Sequence, residues 1–115
     1  MTQAEFDIIV EERIAKIRKI LKSKGDEYAT EDRMYNFKRT AQVLDCTPQR
    51  ALLGFLAKHW VSVMDIIEGK SLTIDEKIGD CINYLILLEA LLHDVGSDFH
   101  GNGSSRSKKI KRPKN

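Results

Sequence analysis

Glu76, Asp80 and Asn83 recur at i, i+4 and i+7 in one of the most apolar stretches of the chain. On a helix they share one stripe. A carboxylate on a helix otherwise fit for burial is costly unless something pairs with it. A second stripe with the same spacing, Lys58, Ser62 and Asp65, precedes it, and Asp26 and Glu27 lie further upstream. Clustered carboxylates suit Mg²⁺, which takes oxygen ligands and keeps several waters that a phosphate can displace. A lysine beside them can hold a phosphate as a point charge. Such a set would serve phosphoanhydride hydrolysis, where metal and cations offset the charge developing on the phosphates and a carboxylate positions the attacking water. The spacing also fits a plain ion pair, with Lys58 bridging to Asp80 or Glu76 across two packed helices. His59, next to Lys58, suits either a core position or a ligand contact.

These residues need helices to hold them. Phe6, Ile9, Val10, Ile14, Ile17, Ile20 and Leu21 recur at three and four residues, the helical period. They predict a first helix from about Thr2, capped by the Thr2-x-x-Glu5 box, to about Ser23, with Gly25 as the stop. A polar loop, residues 24–33, follows. Met34, Phe37, Ala41 and Leu44 predict a second helix over about 31–44, with Asp32 and Asn36 as cap and surface residues. Thr47-Pro48 is an N-cap followed by proline at the first helical position. It opens a third helix over about 48–68. Thr73-x-x-Glu76 forms a second capping-box pattern and opens the fourth helix, which Gly96 ends. The short connection between the third and fourth makes them antiparallel neighbours.

The expected fold is therefore all-α, a four-helix domain over residues 1–96 with a disordered basic tail over 97–115. The fourth helix is so broadly apolar that one small domain covers it poorly, which predicts a homo-oligomer, at least a dimer.

Composition narrows the function classes. The chain has 115 residues, 42% hydrophobic and 31% charged, the balance of a soluble globular domain. Six basic residues against Asp98 alone fall in residues 97–115. Taking these from the 19 basic and 17 acidic residues leaves 13 against 16 in residues 1–96, a net of −3. The body is mildly acidic. The tail suits weak, non-specific contact with nucleic-acid phosphates, or simply a solvated end. No aromatic residue interleaves with its basic run, so base stacking is not indicated there. Two cysteines, Cys46 and Cys81, make no disulfide framework. No signal peptide is visible and the longest apolar run is too short to span a bilayer. A cytoplasmic location and no membrane contact are the expectation.

Asp75-Glu-Lys-Ile-Gly-Asp80, followed by Asn83-Tyr84, resembles the Glu-Glu-x-x-Asp helix of the MazG-like all-α nucleotide pyrophosphohydrolases. With Lys24-Gly-Asp-Glu-Tyr28, Asn36-Phe37 and Lys58-His59 ahead of it, the order is similar to a phage and bacterial group of nucleotide-modification-associated domains. The likeness covers about residues 10–93. It implies a four-helix fold, usually oligomeric, that binds a nucleoside triphosphate through Mg²⁺ and cleaves it to the monophosphate and pyrophosphate. Glu76 and Asp80 match the metal-binding helix. Asp65 would complete the metal site or orient water, Lys58 would contact phosphate and assist catalysis, and Glu27, Asn83 and Tyr84 would contact the nucleotide. The family's second acidic pair, Glu-x-x-Glu, is matched on the partner helix by Asp65 alone, with Glu11, Glu12 and Glu27 as possible substitutes. The alternative is therefore a non-catalytic helical oligomer that binds a nucleotide or a partner protein.

Overall fold

The structure is a computed structural model. It describes residues 1–27 and 32–94, with side chains from residue 1 to 23 in the first segment. Among these residues it contains four helices and no strand: α1 (Gln3–Glu27), α2 (Tyr35–Leu44), α3 (Pro48–Ile67) and α4 (Ile74–His93). The all-α expectation holds. The boundary at residue 96 and the basic tail lie outside the described residues.

The helix starts separate real caps from apparent ones. Thr2-x-x-Glu5 forms its box: Glu5 N–H donates to Thr2 Oγ1 and Thr2 N–H to Glu5 Oε1, both at 3.1 Å. Thr47 also caps, its Oγ1 accepting from Arg50 N–H at 3.2 Å, with Pro48 in the first turn. Thr73 stands at the N-cap of α4, but its side chain makes no capping hydrogen bond. Its hydroxyl is hydrogen-bonded to Ser71 Oγ at 3.0 Å, so a neighbour two residues back takes the group the box needs. α1 runs through Gly25 to Glu27. A lone helical glycine costs only about 1 kcal/mol relative to alanine and need not end a helix. α2 starts at Tyr35 rather than near residue 31. Asp32 Oδ1 accepts from Met34 N–H at 2.9 Å and Asp32 C=O from Tyr35 N–H at 3.0 Å, which makes a turn there. α2 ends at Asp45 in the left-handed conformation, φ 57°, which aspartate tolerates better than most residues.

α3 and α4 form the central hairpin, with α2 packed on α3 and α1 on α4. The cross-helix pairs Phe55–Tyr84 and His59–Asp80 set an antiparallel register: four residues forward on α3 is four residues back on α4. The core is small. Met34, Phe37, Leu52 and Leu91 form its buried cluster, with Leu56, Tyr84, Leu87 and Leu88 against it. α4 is less covered than its composition suggests: Leu85, Ile86 and Leu92 remain exposed.

Two polar ties close the bundle. Arg13 Nη2 donates to the Asp75 carbonyl at 3.0 Å and to Asp75 Oδ1 at 2.8 Å, and Lys16 Nζ reaches Asp75 Oδ2 at 2.6 Å, which fixes α1 to the first turn of α4. Lys38 Nζ lies 2.7 Å from Asp32 Oδ2 and 3.1 Å from Asp94 Oδ2. One ammonium thus joins the turn before α2 to the end of α4.

Candidate functional site

All four helices contribute to one pocket of about 390 Å³, within the size range of small-ligand clefts. α4 supplies Asp80, Asn83, Tyr84 and Leu87, the face generated by its i, i+3, i+4 and i+7 positions. α3 supplies Phe55 and His59, one turn apart. α2 supplies Asn36, Phe37 and Thr40, and Arg33 lies just before it. Ile20 and Leu21 of α1 complete the lining.

Four rings run along this pocket. Phe37 meets Phe55 edge-on at 6.2 Å between centroids. Phe55 stacks on Tyr84 at 6.4 Å, and Tyr84 stacks on His59 at 4.9 Å with 25° between planes. His59 Nδ1 is 3.4 Å from Asp80 Oδ2. Asp80 therefore faces His59, not Lys58, across the hairpin. This spacing is long for a direct hydrogen bond but close enough for the carboxylate to orient the ring.

The polar stripe on α4 passes from solvent into the core. Glu76 is exposed, Asp80 is half-buried and Asn83 is buried. Asn83 Oδ1 has no hydrogen-bond partner among the described residues. Buried polar side chains are normally satisfied, and this oxygen, closed off from solvent, is an exception. Beside it, burial and then the charge of Asp80 push the Cys81 thiol above its ordinary value, which keeps that residue protonated and inert.

The carboxylates expected to gather do not all meet. Glu76 and Asp80 lie one turn apart on α4. Asp65 lies six residues beyond His59 toward the α3–α4 connection, about 9 Å along the helix axis at 1.5 Å per residue. Among the described residues no three His, Cys, Asp or Glu side chains form a group able to hold a metal ion. The expected Mg²⁺ set of Glu76, Asp80 and Asp65 forms no such group among the described residues; the antiparallel register puts Asp65 level with the first turn of α4, nearer Glu76 than Asp80. Lys58 is exposed and does not line the pocket. Glu27 closes α1, and its side chain is outside those described. The structure brings together Asp80, Asn83 and Tyr84 from the expected site.

It adds Arg33, Asn36, Thr40 and His59. Asn36 and His59 carried a signal, since both fall in the short motifs that precede the α4 helix. Arg33 and Thr40 carried none. Asp32, read as a cap, instead makes the turn ahead of α2, where Met34 is the N-cap residue, and it also holds Lys38.

The chain matches no protein-family model, no curated protein and no solved structure. No helix among the described residues is long and apolar enough to cross a membrane.

Proposed function

We propose that the chain binds a nucleotide in this pocket. The observation that carries the reading is the row of rings, Phe37, Phe55, Tyr84 and His59, lining one ligand-sized cleft. A nucleobase is a flat, polarizable ring, and stacking on aromatic side chains holds bases whatever their identity. Polar groups set among the rings, Asn36, Asp80 and Asn83, offer donors and acceptors to a base edge. The resemblance of the α4 motif to the MazG-like helix supports the same ligand class.

Binding without turnover is the form of this reading that the geometry favours, since only two carboxylates of the expected metal set share a face. Mg²⁺ bound to a nucleotide uses one or two protein carboxylates together with the phosphates, and Glu76 and Asp80 are the pair available to it. Pyrophosphohydrolysis is tested alongside binding. The experiment is calorimetry of the full chain with nucleoside and deoxynucleoside triphosphates and Mg²⁺, followed by chromatography of the end products. Saturable binding of unchanged nucleotide is the expected outcome. Monophosphate and pyrophosphate would establish the hydrolase, and no heat with any nucleotide would sink the reading.

Self-association belongs to the same proposal. Leu85, Ile86 and Leu92 on α4 and Trp60, Val61 and Met64 on α3 are exposed apolar side chains on the central hairpin, more than a small monomer ordinarily leaves bare. A sedimentation coefficient of a monomer at micromolar concentration would reject it.

A further inference from the structure

The first half of α1 stands outside the bundle. Residues 1–12 are all exposed, and Arg13, which donates to Asp75, is the first that is half-buried. Most helical stability in proteins comes from a packed apolar face, and here Phe6, Ile9 and Val10 hold such a face in the open. A second stripe runs beside it. Asp7, Glu11, Ile14, Arg18 and Lys22 follow one another at four, three, four and four residues, which sets them along one edge of α1. The order along that edge is two acids, an exposed isoleucine and two bases. The helix dipole favours acids in the first turn and bases in the last, but its effect fades within a turn. It does not account for Glu11 and Arg18, which lie in the middle of the helix.

Resting on the self-association reading, we infer that a second copy of this chain packs its own α1 antiparallel along this edge. A two-fold interface must match itself, and this edge does. Ile14 meets its counterpart at the axis, with Val10 beside it. Glu11 and Arg18 stand equally far from the centre of the stripe, as do Asp7 and Lys22. Glu11 therefore faces Arg18 of the second copy, and Asp7 faces Lys22 of the second copy. A parallel pair would set acid against acid and base against base. The charges thus fix the direction of pairing as well as the partner, while the apolar contact supplies the affinity.

The test is sedimentation equilibrium of the full chain, with Glu11→Arg and Arg18→Glu made separately. Each change gives the new side chain an opposite charge four residues away in its own helix, Asp7 or Lys22, so α1 itself is not weakened. Across the interface each change sets like charges together at two places. The dissociation constant of either variant should rise at least about tenfold. An equimolar mixture of the two should associate to within about threefold of the unaltered chain, because a pair made of one of each is again opposite in charge at both places. A chain carrying both changes should recover likewise. A monomeric unaltered chain at micromolar concentration would overturn this inference and the self-association reading together. Single variants that associate as tightly as the unaltered chain would overturn the inference alone and leave association to the α3–α4 hairpin. A loss that neither the mixture nor the double variant restores would also overturn it, since the edge would then meet something other than its own copy.

Discussion

The Arg13 guanidinium lies over Gly79 so closely that a Cβ there would stand 2.5 Å from Nη1. Arg13 is held in that place by two hydrogen bonds to Asp75. Gly79 thus lets α1 approach α4 one residue before Asp80, and the tie that positions α1 also positions the start of the pocket face.

That contact predicts a coupling. In an Arg13→Ala background, Gly79→Ala should stabilise the protein by about 0.5–1 kcal/mol, the ordinary helix preference for alanine. With Arg13 present the gain should vanish, because the methyl must displace the guanidinium from Asp75. A double-mutant cycle by urea denaturation measures the difference. Equal effects in both backgrounds would show that Arg13 moves aside freely.

Lys38 predicts how stability depends on pH. The hydrogen bond from Lys38 holds the Asp32 carboxyl below its ordinary value against the opposing effect of burial. Burial works to lower the Lys38 value, but hydrogen bonds to Asp32 and Asp94 outweigh it and leave it raised. A lowered carboxyl contributes stability that is present above its unfolded value, near 3.8, and is lost as pH falls through the folded value. A raised amine contributes stability that is present below its unfolded value, near 10.5, and is lost as pH rises through the folded value. Lys38→Met should therefore cost most in the plateau between these limits and flatten both edges of the profile. The plateau loss should be about 1 kcal/mol, since Asp32 is partly exposed. Denaturation midpoints across the pH range check it.

Asp75 carries the acid-sensitive attachment of α1. The Lys16 hydrogen bond lowers its carboxyl most, with Arg13 adding to it. This stabilising pairing is present above the ordinary value of 3.8 and is lost as pH falls through the depressed one. The carboxylate is exposed, so salt should weaken it as well. Asp75→Asn should reduce amide-exchange protection in α1 while protection in the α3–α4 hairpin stays unchanged. Equal loss in both regions would mean that α1 and the hairpin open as one unit.

Leu52 and Leu91 are fully buried, whereas Leu53 is 48% exposed. Leu52→Ala or Leu91→Ala should cost about 2–5 kcal/mol through lost burial and a residual cavity. Leu53→Ala should change stability by no more than about 0.5 kcal/mol. Urea midpoints compare the three directly, and a large loss at Leu53 would place that face in an interface.

Tyr84 stacks between Phe55 and His59. Tyr84→Leu should weaken nucleotide binding by about 1–3 kcal/mol, the worth of one base stacked on an aromatic side chain. Tyr84→Phe should keep most of the affinity. Titration of both variants with the best-binding nucleotide is the check.

The sequence by itself determined the helices, because apolar spacing, Thr2-x-x-Glu5 and Thr47-Pro48 act over a few residues and need no distant partner. It also marked Asp80, Asn83 and Tyr84, since residues three and four apart on one helix share a face wherever that helix packs. Its errors were local competitions that spacing does not display: Ser71 took the Thr73 hydroxyl, Asp32 turned the chain ahead of α2, and Gly25 stayed helical. Only the tertiary structure decided what faces what. The antiparallel register put His59 opposite Asp80, placed Asp65 toward the α3–α4 connection and left Lys58 in solvent. It also brought Arg33, Asn36 and Thr40 to the same pocket from a different part of the chain. These pairings depend on how three helices pack at long sequence separation, and side-chain spacing along any one of them carries no record of that.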